Sequence, residues 1–249
     1  MSIGPYRSWR NAAMLLVVVL ALWQLAYWSI GEVALRSPAE TIAFTAKLIG
    51  TASFAPHAAE SLKAFALALA IAVLSGLAIG FALGLNRLTS DVLEPVLVTL
   101  YSIPKITLYP ILLLIFGLGM PAKVAFGAIH GVIPVALFTI AAVQNIRPVL
   151  LKSARMMKLK RLELIRRVLL PAAMPEIFTG LRVGFALTLI GTLLGEMFAA
   201  QRGIGFLLMN AIGLHNIDLI MGLTFLITLF AGAASGLLLY IDHRFYART

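Results

Sequence analysis

Residues 61–85 read SLKAFALALAIAVLSGLAIGFALGL, and Lys63 is the only charged residue in this stretch. A helix of about 20 apolar residues crosses the hydrocarbon core of a bilayer, so the stretch predicts a transmembrane helix. Gly76, Gly80 and Gly84 recur every four residues and therefore share one face of that helix. Because small residues at this spacing let helices approach closely, we expect this face to pack against a neighbouring helix.

Five more apolar runs of similar length lie along the chain. They occupy residues 11–30, 92–116, 121–143, 177–198 and 218–241. Charged residues make up 12% of the 249 residues, about half of what a soluble domain carries. The sequence contains no cysteine, which excludes disulfides and thiolate catalysis. We therefore predict an all-α, polytopic membrane protein with about six transmembrane helices in a single transmembrane domain, residues 1–249.

The 20 lysines and arginines are distributed unevenly among the connections between these runs. If both termini are cytoplasmic, fourteen of them fall in cytoplasmic segments, five in external segments, and Lys105 within a run. Cytoplasmic loops of membrane proteins carry an excess of Lys and Arg. We therefore predict a multi-pass protein with both termini in the cytoplasm, and we assign the net charge of +10 to these loops rather than to nucleic acid binding.

The longest cytoplasmic connection, residues 144–176, contains the basic segment KRLELIRRVLLP at 160–171. Leu162, Ile165 and Leu169 recur at i, i+3 and i+7, which places them on one face of a helix. Two interpretations of this amphipathic segment are open. It can lie on anionic lipid at the membrane surface, or it can insert into a groove of a partner protein.

Two stretches resemble the permeases of binding-protein-dependent ABC importers, most closely their nitrate/sulfonate/taurine branch. Residues 153–211, SARMMKLKRLELIRRVLLPAAMPEIFTGLRVGFALTLIGTLLGEMFAAQRGIGFLLMNA, are similar to the coupling loop and the helix after it. Residues 101–134, YSIPKITLYPILLLIFGLGMPAKVAFGAIHGVIP, are similar to the third and fourth spans. Loop, spacing and flanking spans agree together, and the resemblance extends over about residues 60–240.

The coupling loop departs from the family's motif, which is Glu-Ala-Ala, three residues, Gly, and later Ile-x-Leu-Pro. Lys152-Ser153-Ala154 stands where the motif begins, Lys158 holds the glycine position, and Pro171 ends it. Glycine there permits a tight turn at positive φ. We therefore expect Lys158 either to be strained in that turn or to change its geometry. This departure leaves open a decayed permease scaffold.

The resemblance implies a fold like that of type I ABC importer permeases and a location in the bacterial inner (plasma) membrane. It implies that the chain is a transport subunit and not an enzyme, that it binds no cofactor, and that ATP is used by a partner. The implied partners are a pair of cytoplasmic ATP-binding subunits, a periplasmic or extracellular solute-binding protein, membrane lipid and a second permease copy in a homodimer. The implied solute is a sulfonate, nitrate, taurine or a thiamine-precursor-like compound.

The resemblance also implies which residues couple transport to ATP hydrolysis. These residues of the coupling loop would move with the ATPase pair and switch the pore between its inward-open and outward-open states. The residues of the coupling loop that would dock on the ATPase are Lys152, Ser153, Ala154, Lys158, Lys160, Arg161, Leu162, Ile165, Arg166 and Pro171.

Lys105 is a charged residue in the middle of an apolar run. It lies thirteen residues into the run 92–116, beside Pro104. A charge near the bilayer centre costs about 2.5–3.5 kcal/mol, so an intramembrane lysine is a functional-site hypothesis. With Tyr101 and Thr107 it would line the translocation pathway and attract an anionic group of the solute. The alternative is that Lys105 extends toward a membrane surface.

Glu196, at the end of the run 177–198, is the other candidate for the pathway. It would be a carboxylate of a gate region, or a proton relay, in which case the chain would be an ion-coupled secondary transporter. His130 has no metal-ligating partner in helical register, so core hydrogen bonding is expected for it rather than a metal site. No catalytic constellation is recognisable in the sequence.

Overall fold

The computed structural model describes residues 5–246, apart from the side chains of residues 5–9, 12, 151, 155, 161, 162, 199 and 243–246. Within this range the chain forms helices and no strand, which confirms the predicted all-α class. The helices are α1 (Pro5–Ile30), α2 (Pro38–Ile49), α3 (Phe54–Gly84), α4 (Arg87–Ser102), α5 (Tyr109–Phe116), α6 (Met120–Gln144), α7 (Pro148–Met156), α8 (Arg161–Leu164), α9 (Leu170–Ala199), α10 (Ile204–Gly213) and α11 (Ile217–Tyr246).

Five helices of the described chain contain segments long and apolar enough to cross a membrane, and these are α1, α3, α6, α9 and α11. α4 and α5 provide a sixth span if this bent pair is counted as one. The prediction of about six spans agrees with this. Four helices begin five or more residues earlier than their apolar runs, namely α1 at Pro5, α3 at Phe54, α4 at Arg87 and α9 at Leu170.

The third apolar run, residues 92–116, is not one straight helix. α4 ends at Ser102, and the chain bends by 85° before it continues through a 3-10 turn into α5. Pro104 has no N–H with which to extend α4, and it forces Ile103 into an extended conformation with φ −66° and ψ 131°. Pro110 does not break α5, because it stands in the first turn, where no N–H is needed.

α3, α6 and α9 form the centre of the bundle. On α3, the glycine face points at α6: a Cβ added to Gly76 would lie 2.6 Å from the Cβ of Val135, and one added to Gly80 would meet Thr139. Side chains do not approach one another so closely, so this face needs glycine. The close helix contact expected from the glycine spacing is therefore made within one chain.

The connection between α1 and α3 carries the short helix α2. The hydroxyl of Ser37 accepts the N–H of Glu40 at 3.3 Å, and the Glu40 carboxylate accepts the N–H of Ser37 at 3.0 Å, which makes a capping box. The hydroxyl and N–H of Ser37 hold the pKa of Glu40 below its usual value. Arg36 pairs with Asp218 at the start of α11, with 2.6 Å between Nε and Oδ1. Since the Arg36 carbonyl also accepts the indole N–H of Trp23 at 3.0 Å, this connection ties α1 to α11.

Candidate functional site

A buried ionic cluster joins the beginnings of α3 and α6 to the end of α9. Nζ of Lys123 lies 2.9 Å from Oε1 of Glu60 and 3.7 Å from Oε1 of Glu196. It also donates to the carbonyl oxygen of Arg202 at 3.2 Å. Lys123 and Glu196 are fully buried. A buried charge is tolerated when it is paired and hydrogen-bonded, and both conditions are met for these two.

Glu196 and two side chains near it accept hydrogen bonds from the backbone N–H groups at the amino end of α10. Oε2 of Glu196 accepts the N–H of Gly205 at 3.0 Å, the hydroxyl of Ser61 accepts the N–H of Ile204 at 2.7 Å, and Nδ1 of His57 accepts the N–H of Gly203 at 3.2 Å. The first N–H groups of a helix have no partner within it, and an anion is favoured at that end. Glu196 therefore acts as a cap for a helix that begins eight residues further on.

The cap is tightly enclosed. The Ser61 hydroxyl, 2.8 and 2.7 Å from the two carboxylate oxygens of Glu196, donates its hydrogen to that carboxylate. A Cβ added to Gly203 would collide with the same carboxylate, and the φ of Gly203, 131°, already disfavours any other residue. Both oxygens of Glu196 are thus occupied by protein donors, which suits a structural role better than proton transfer.

Sequence reasoning identified Glu196 but missed its partners. Lys123 is one of the five basic residues counted with the external segments, and the structure buries its side chain in the first turn of α6. A weak signal was available, since Lys123 lies near the start of the apolar run 121–143 and Glu60 directly precedes another predicted span. The imbalance of basic residues between the two sides does not depend on this one lysine.

Tyr101, Lys105 and Thr107 all lie at the bend between α4 and α5, where Lys105 contacts Tyr101. Nζ of Lys105 donates to the Tyr101 carbonyl oxygen at 2.9 Å and lies 4.7 Å from the centroid of the Tyr101 ring. The Thr107 hydroxyl donates to the Pro104 carbonyl at 2.7 Å. Within the described residues no carboxylate pairs with Lys105, and no hydrogen bond or ion pair joins it to Glu196. The ammonium group therefore caps the end of α4 and stays an uncompensated cation.

His130 is hydrogen-bonded within α6. Nδ1 of His130 donates to the Phe126 carbonyl at 2.8 Å, and the ring packs edge-on against the Phe126 ring, 4.6 Å between centroids. Among the residues that the structure describes, no group of three or more metal-ligating side chains is present.

The predicted coupling loop, residues 144–176, contains α7, which ends in a left-handed turn. Lys158 has φ +50°, and the N–H of Leu159 donates to the Ala154 carbonyl at 3.3 Å. This bond, around a residue at positive φ, is the Schellman arrangement that normally favours glycine. Of the two expectations for Lys158, the strained one is therefore correct. The turn keeps the geometry that the family's glycine would allow.

Beyond the turn, the helix runs without interruption from α8 through a π turn into α9. The N–H of Leu170 donates to the Ile165 carbonyl, one residue further back than in an α-helix. Pro171 follows immediately, and its ring and missing N–H disfavour regular α-helix before it. The π turn, residues 165–169, absorbs this conflict, so Pro171 does not end the helix.

The predicted docking residues differ in their exposure. Ala154, a residue of α7, is buried, and the side chains of Arg161 and Leu162 lie outside the described residues. Met156, Met157 and Ile165 of this loop are 86%, 70% and 49% exposed, and Val149 and Leu170 are exposed as well. The remaining predicted residues are exposed, and these are Lys152, Ser153, Lys158, Lys160, Arg166 and Pro171.

Replacing Lys158 by glycine should stabilise the protein by roughly 1 kcal/mol, because a non-glycine residue in the left-handed region pays about 1–2 kcal/mol. A shift of the unfolding midpoint in detergent to higher denaturant would measure this. Lys152→Gly, in the helical part of α7, is the matched control and should destabilise. A Lys158→Gly variant that unfolds earlier than the parent would contradict the strained turn.

Comparison with known proteins agrees with the fold. Residues 72–248 match the family described as binding-protein-dependent transport system inner membrane component, so the chain belongs to this family. It is 30% identical over 207 residues to the taurine transport permease TauC of Escherichia coli, covering 79% of this chain and 74% of that protein. It is 26% identical over 206 residues to the putative aliphatic sulfonates permease SsuC of Bacillus subtilis, covering 82% and 75%.

A third relative is the nitrate import permease NrtB of Leptolyngbya laminosa, 34% identical over 153 residues, covering 61% of this chain and 55% of that protein. Among solved structures, a chain of the MetNI methionine ABC transporter in inward-facing conformations superposes with a TM-score of 0.57. Identity is 20%, and the match covers 76% of this chain and 92% of the other, so it supports the fold alone.

The chain is therefore a permease subunit of an ABC importer and a multi-pass membrane protein, as the resemblance implied. Such subunits are not enzymes, and ATP is hydrolysed by a partner subunit. Binding-protein-dependent transport implies an ATPase partner and a solute-binding protein, and permeases of this family typically bind no cofactor. This assignment replaces the alternative of an ion-coupled secondary transporter.

Proposed function

We propose that this permease imports a small solute with a sulfonate or comparable anionic group, such as taurine, another sulfonate or nitrate. Relatives named for taurine, aliphatic sulfonates and nitrate support this class. The observation that carries it is Lys105, a cation at the bend of a broken span with no carboxylate partner among the described residues. A cationic thiamine-precursor-like solute, the other class that the resemblance implies, would be repelled by this charge.

In this proposal Tyr101, Lys105 and Thr107 line the translocation pathway. The bend leaves Lys105 part-exposed, and the face of the Tyr101 ring holds its ammonium group in place. Irregular backbone at membrane depth is tolerated where it lines a cavity, which supports a pathway at this point. We assign Glu196 a supporting role, because it lies in the buried cap of α10.

We further propose that the pathway is shared between two copies of the chain. The outer face of α4 and α5 is apolar and unpaired within the described chain, with Val96 50%, Ile106 40% and Leu114 87% exposed. A second copy placed against this face would bring two bends, and two copies of Lys105, to one axis. A homodimer of this kind makes α4 and α5 the walls of the pore.

The loop of residues 144–176 is, in the same proposal, the cytoplasmic coupling element for the ATPase pair, and both termini lie in the cytoplasm. Its exposed Met156 and Met157 project from the tip of α7, and exposed lysines and arginines surround them. Unbranched methionine side chains adapt to the shape of a partner surface. An apolar tip with a basic rim suits an acidic-rimmed groove in a partner protein.

The role of Lys105 is tested by uptake measurements in proteoliposomes that contain the ATPase and the solute-binding protein. Lys105→Gln should lower uptake of an anionic solute roughly tenfold, the equivalent of about 1.4 kcal/mol, because it keeps a donor for the Tyr101 carbonyl but loses the charge. Lys105→Arg should retain most uptake. Lys63→Gln, on α3, is the control and should be neutral.

ATPase activity measured in the same vesicles separates the charge from the fold. It should be unchanged in Lys105→Gln, since the coupling loop is intact. Full uptake in that variant would refute a contact between Lys105 and an anionic solute. A selective gain in uptake of a thiamine-precursor-like cation would reassign the solute class.

A further inference from the structure

An apolar cavity of about 290 Å³ lies where α3 begins, beside the ends of α9 and α2, the start of α10 and the middle of α11. Its position differs from that of the bend and the coupling loop. Aromatic and aliphatic side chains form most of its walls, chiefly Phe54, Leu62, Phe65, Leu189, Leu226 and Phe230. A cavity of this size and lining calls for an explanation, because protein interiors hold few voids larger than a water molecule.

The polar residues in the cavity wall offer nothing to a polar occupant. The hydroxyl of Ser61 donates to Glu196 and accepts the N–H of Ile204. The hydroxyl of Thr192 donates to the Thr188 carbonyl at 2.9 Å. A water molecule needs two to four polar partners, and cavities lined by Leu, Ile and Phe stay dry and take up apolar molecules. The residues that line the cavity therefore favour a hydrocarbon occupant.

The mouth of the cavity faces the surface of the bundle that lipid would cover. Leu62 on α3 and Phe230 on α11 stand at its edge, 59% and 41% exposed, and both helices have the length and composition of membrane spans. Among the described residues, no lining residue comes from α4, α5 or α6. If α4 and α5 form the contact between two copies, as proposed above, this cavity still opens to the bilayer.

We propose that this cavity holds one acyl chain of a membrane phospholipid. An acyl chain that moves from the bilayer into the cavity exchanges one apolar environment for another, so the hydrophobic effect contributes little. Dispersion contacts drive the step instead, because an empty cavity forfeits the contacts of every side chain that lines it. The wall shares Ser61 and Ile204 with the cap of α10, so the bound chain also packs against the buried cluster around Glu196.

Photolabelling of the full-length protein tests the proposal. The protein would be reconstituted in phosphatidylethanolamine with a diazirine in one acyl chain, washed with lipid-free detergent, and then irradiated. The washing removes loosely associated lipid but should leave the seated chain. Adducts should therefore concentrate on the peptides that contain Leu62 and Phe230. Leu74, 71% exposed on the same helix α3, should carry few adducts, because the lipid around it is washed away before irradiation.

A matched pair of substitutions on α3 separates the cavity from general lipid contact. Ala58 lines the cavity, and Ala58→Phe should fill it. A phenyl ring in the cavity takes the space of the acyl chain, so retained label should fall roughly tenfold or more, the equivalent of at least about 1.4 kcal/mol. Ala70 is exposed on the outer face of the same helix, and Ala70→Phe should leave the label unchanged. Ala58→Leu, a smaller addition, replaces Ala58→Phe if the larger side chain prevents folding.

Two outcomes would overturn the proposal. Equal labelling of Leu62, Phe230 and Leu74 after washing, or equal labelling of the two phenylalanine variants, would leave only general contact with the bilayer. Cross-linking of the cavity peptides to a second copy of the chain, in place of lipid, would show that this face is an interface between copies. Failure of the Lys105 experiment would leave the lipid result intact, because the two sites share no residue.

Discussion

Replacing Glu196 by alanine is expected to destabilise the protein by roughly 3 kcal/mol, the largest effect of any single substitution considered for the bundle. The substitution removes the acceptor for the N–H of Gly205 and for the hydroxyl of Ser61. It also takes away one of the two carboxylates beside the buried ammonium of Lys123. Lys123 keeps Glu60 at 2.9 Å, so the loss stays below that of an unpaired buried charge.

Unfolding in mixed detergent micelles, followed by far-UV circular dichroism, measures this effect. Glu196→Gln keeps an acceptor for Gly205 and should lose about half as much stability. The control is Glu176→Ala on the same helix, where the carboxylate makes one 3.4 Å hydrogen bond with Asn145. Should Glu196→Ala unfold together with the parent but abolish uptake, the cap would be refuted and a role in transport restored.

The double substitution Met156→Asp, Met157→Asp is expected to abolish uptake and release the ATPase. Both side chains project from the tip of α7, 86% and 70% exposed. A carboxylate forced into an apolar groove must lose its hydration, which costs several kcal/mol when no cation pairs with it. Since roughly 1.4 kcal/mol corresponds to a tenfold loss of affinity, the ATPase should no longer purify with the double variant.

The control places the same charges elsewhere. Leu85→Asp with Leu88→Asp alters two equally exposed residues between α3 and α4, a connection predicted to lie on the same side of the membrane. It should leave ATPase binding unchanged. The pair Leu162→Asp, Ile165→Asp tests the other apolar residues predicted to dock. Normal ATPase binding in both loop variants, with weakened binding to anionic vesicles, would instead assign the loop to lipid.

Much of the fold follows from the sequence because the period and length of apolar runs are local properties. The runs at 61–85 and 121–143 became α3 and α6, and the glycine spacing on α3 correctly predicted a close helix contact. Pro104 marked the break at the third run. The angle of 85° did not follow, because neighbouring helices, rather than the proline alone, orient the segment beyond a break.

The buried cluster escaped prediction for a different reason. Lys123 is 63 residues from Glu60, and Ser61 is 135 residues from Glu196, so no local pattern connects them. Each looked like an ordinary polar residue near the end of a span. The left-handed turn at Lys158 was accessible only through the resemblance, since lysine by itself gives no indication of a positive φ.

The break between α4 and α5 has a consequence for the hydration of the protein within the membrane. A continuous helix satisfies its own peptide groups, whereas this one ends inside an apolar run and frees several of them. The Lys105 ammonium and the Thr107 hydroxyl reach back to the carbonyls of Tyr101 and Pro104. The remaining peptide groups of the break need partners, and in hydrocarbon each missing partner costs several kcal/mol. If the proposed pathway passes this break, water would supply those partners from one side of the bilayer, and the solute would meet a hydrated step in the middle of its route.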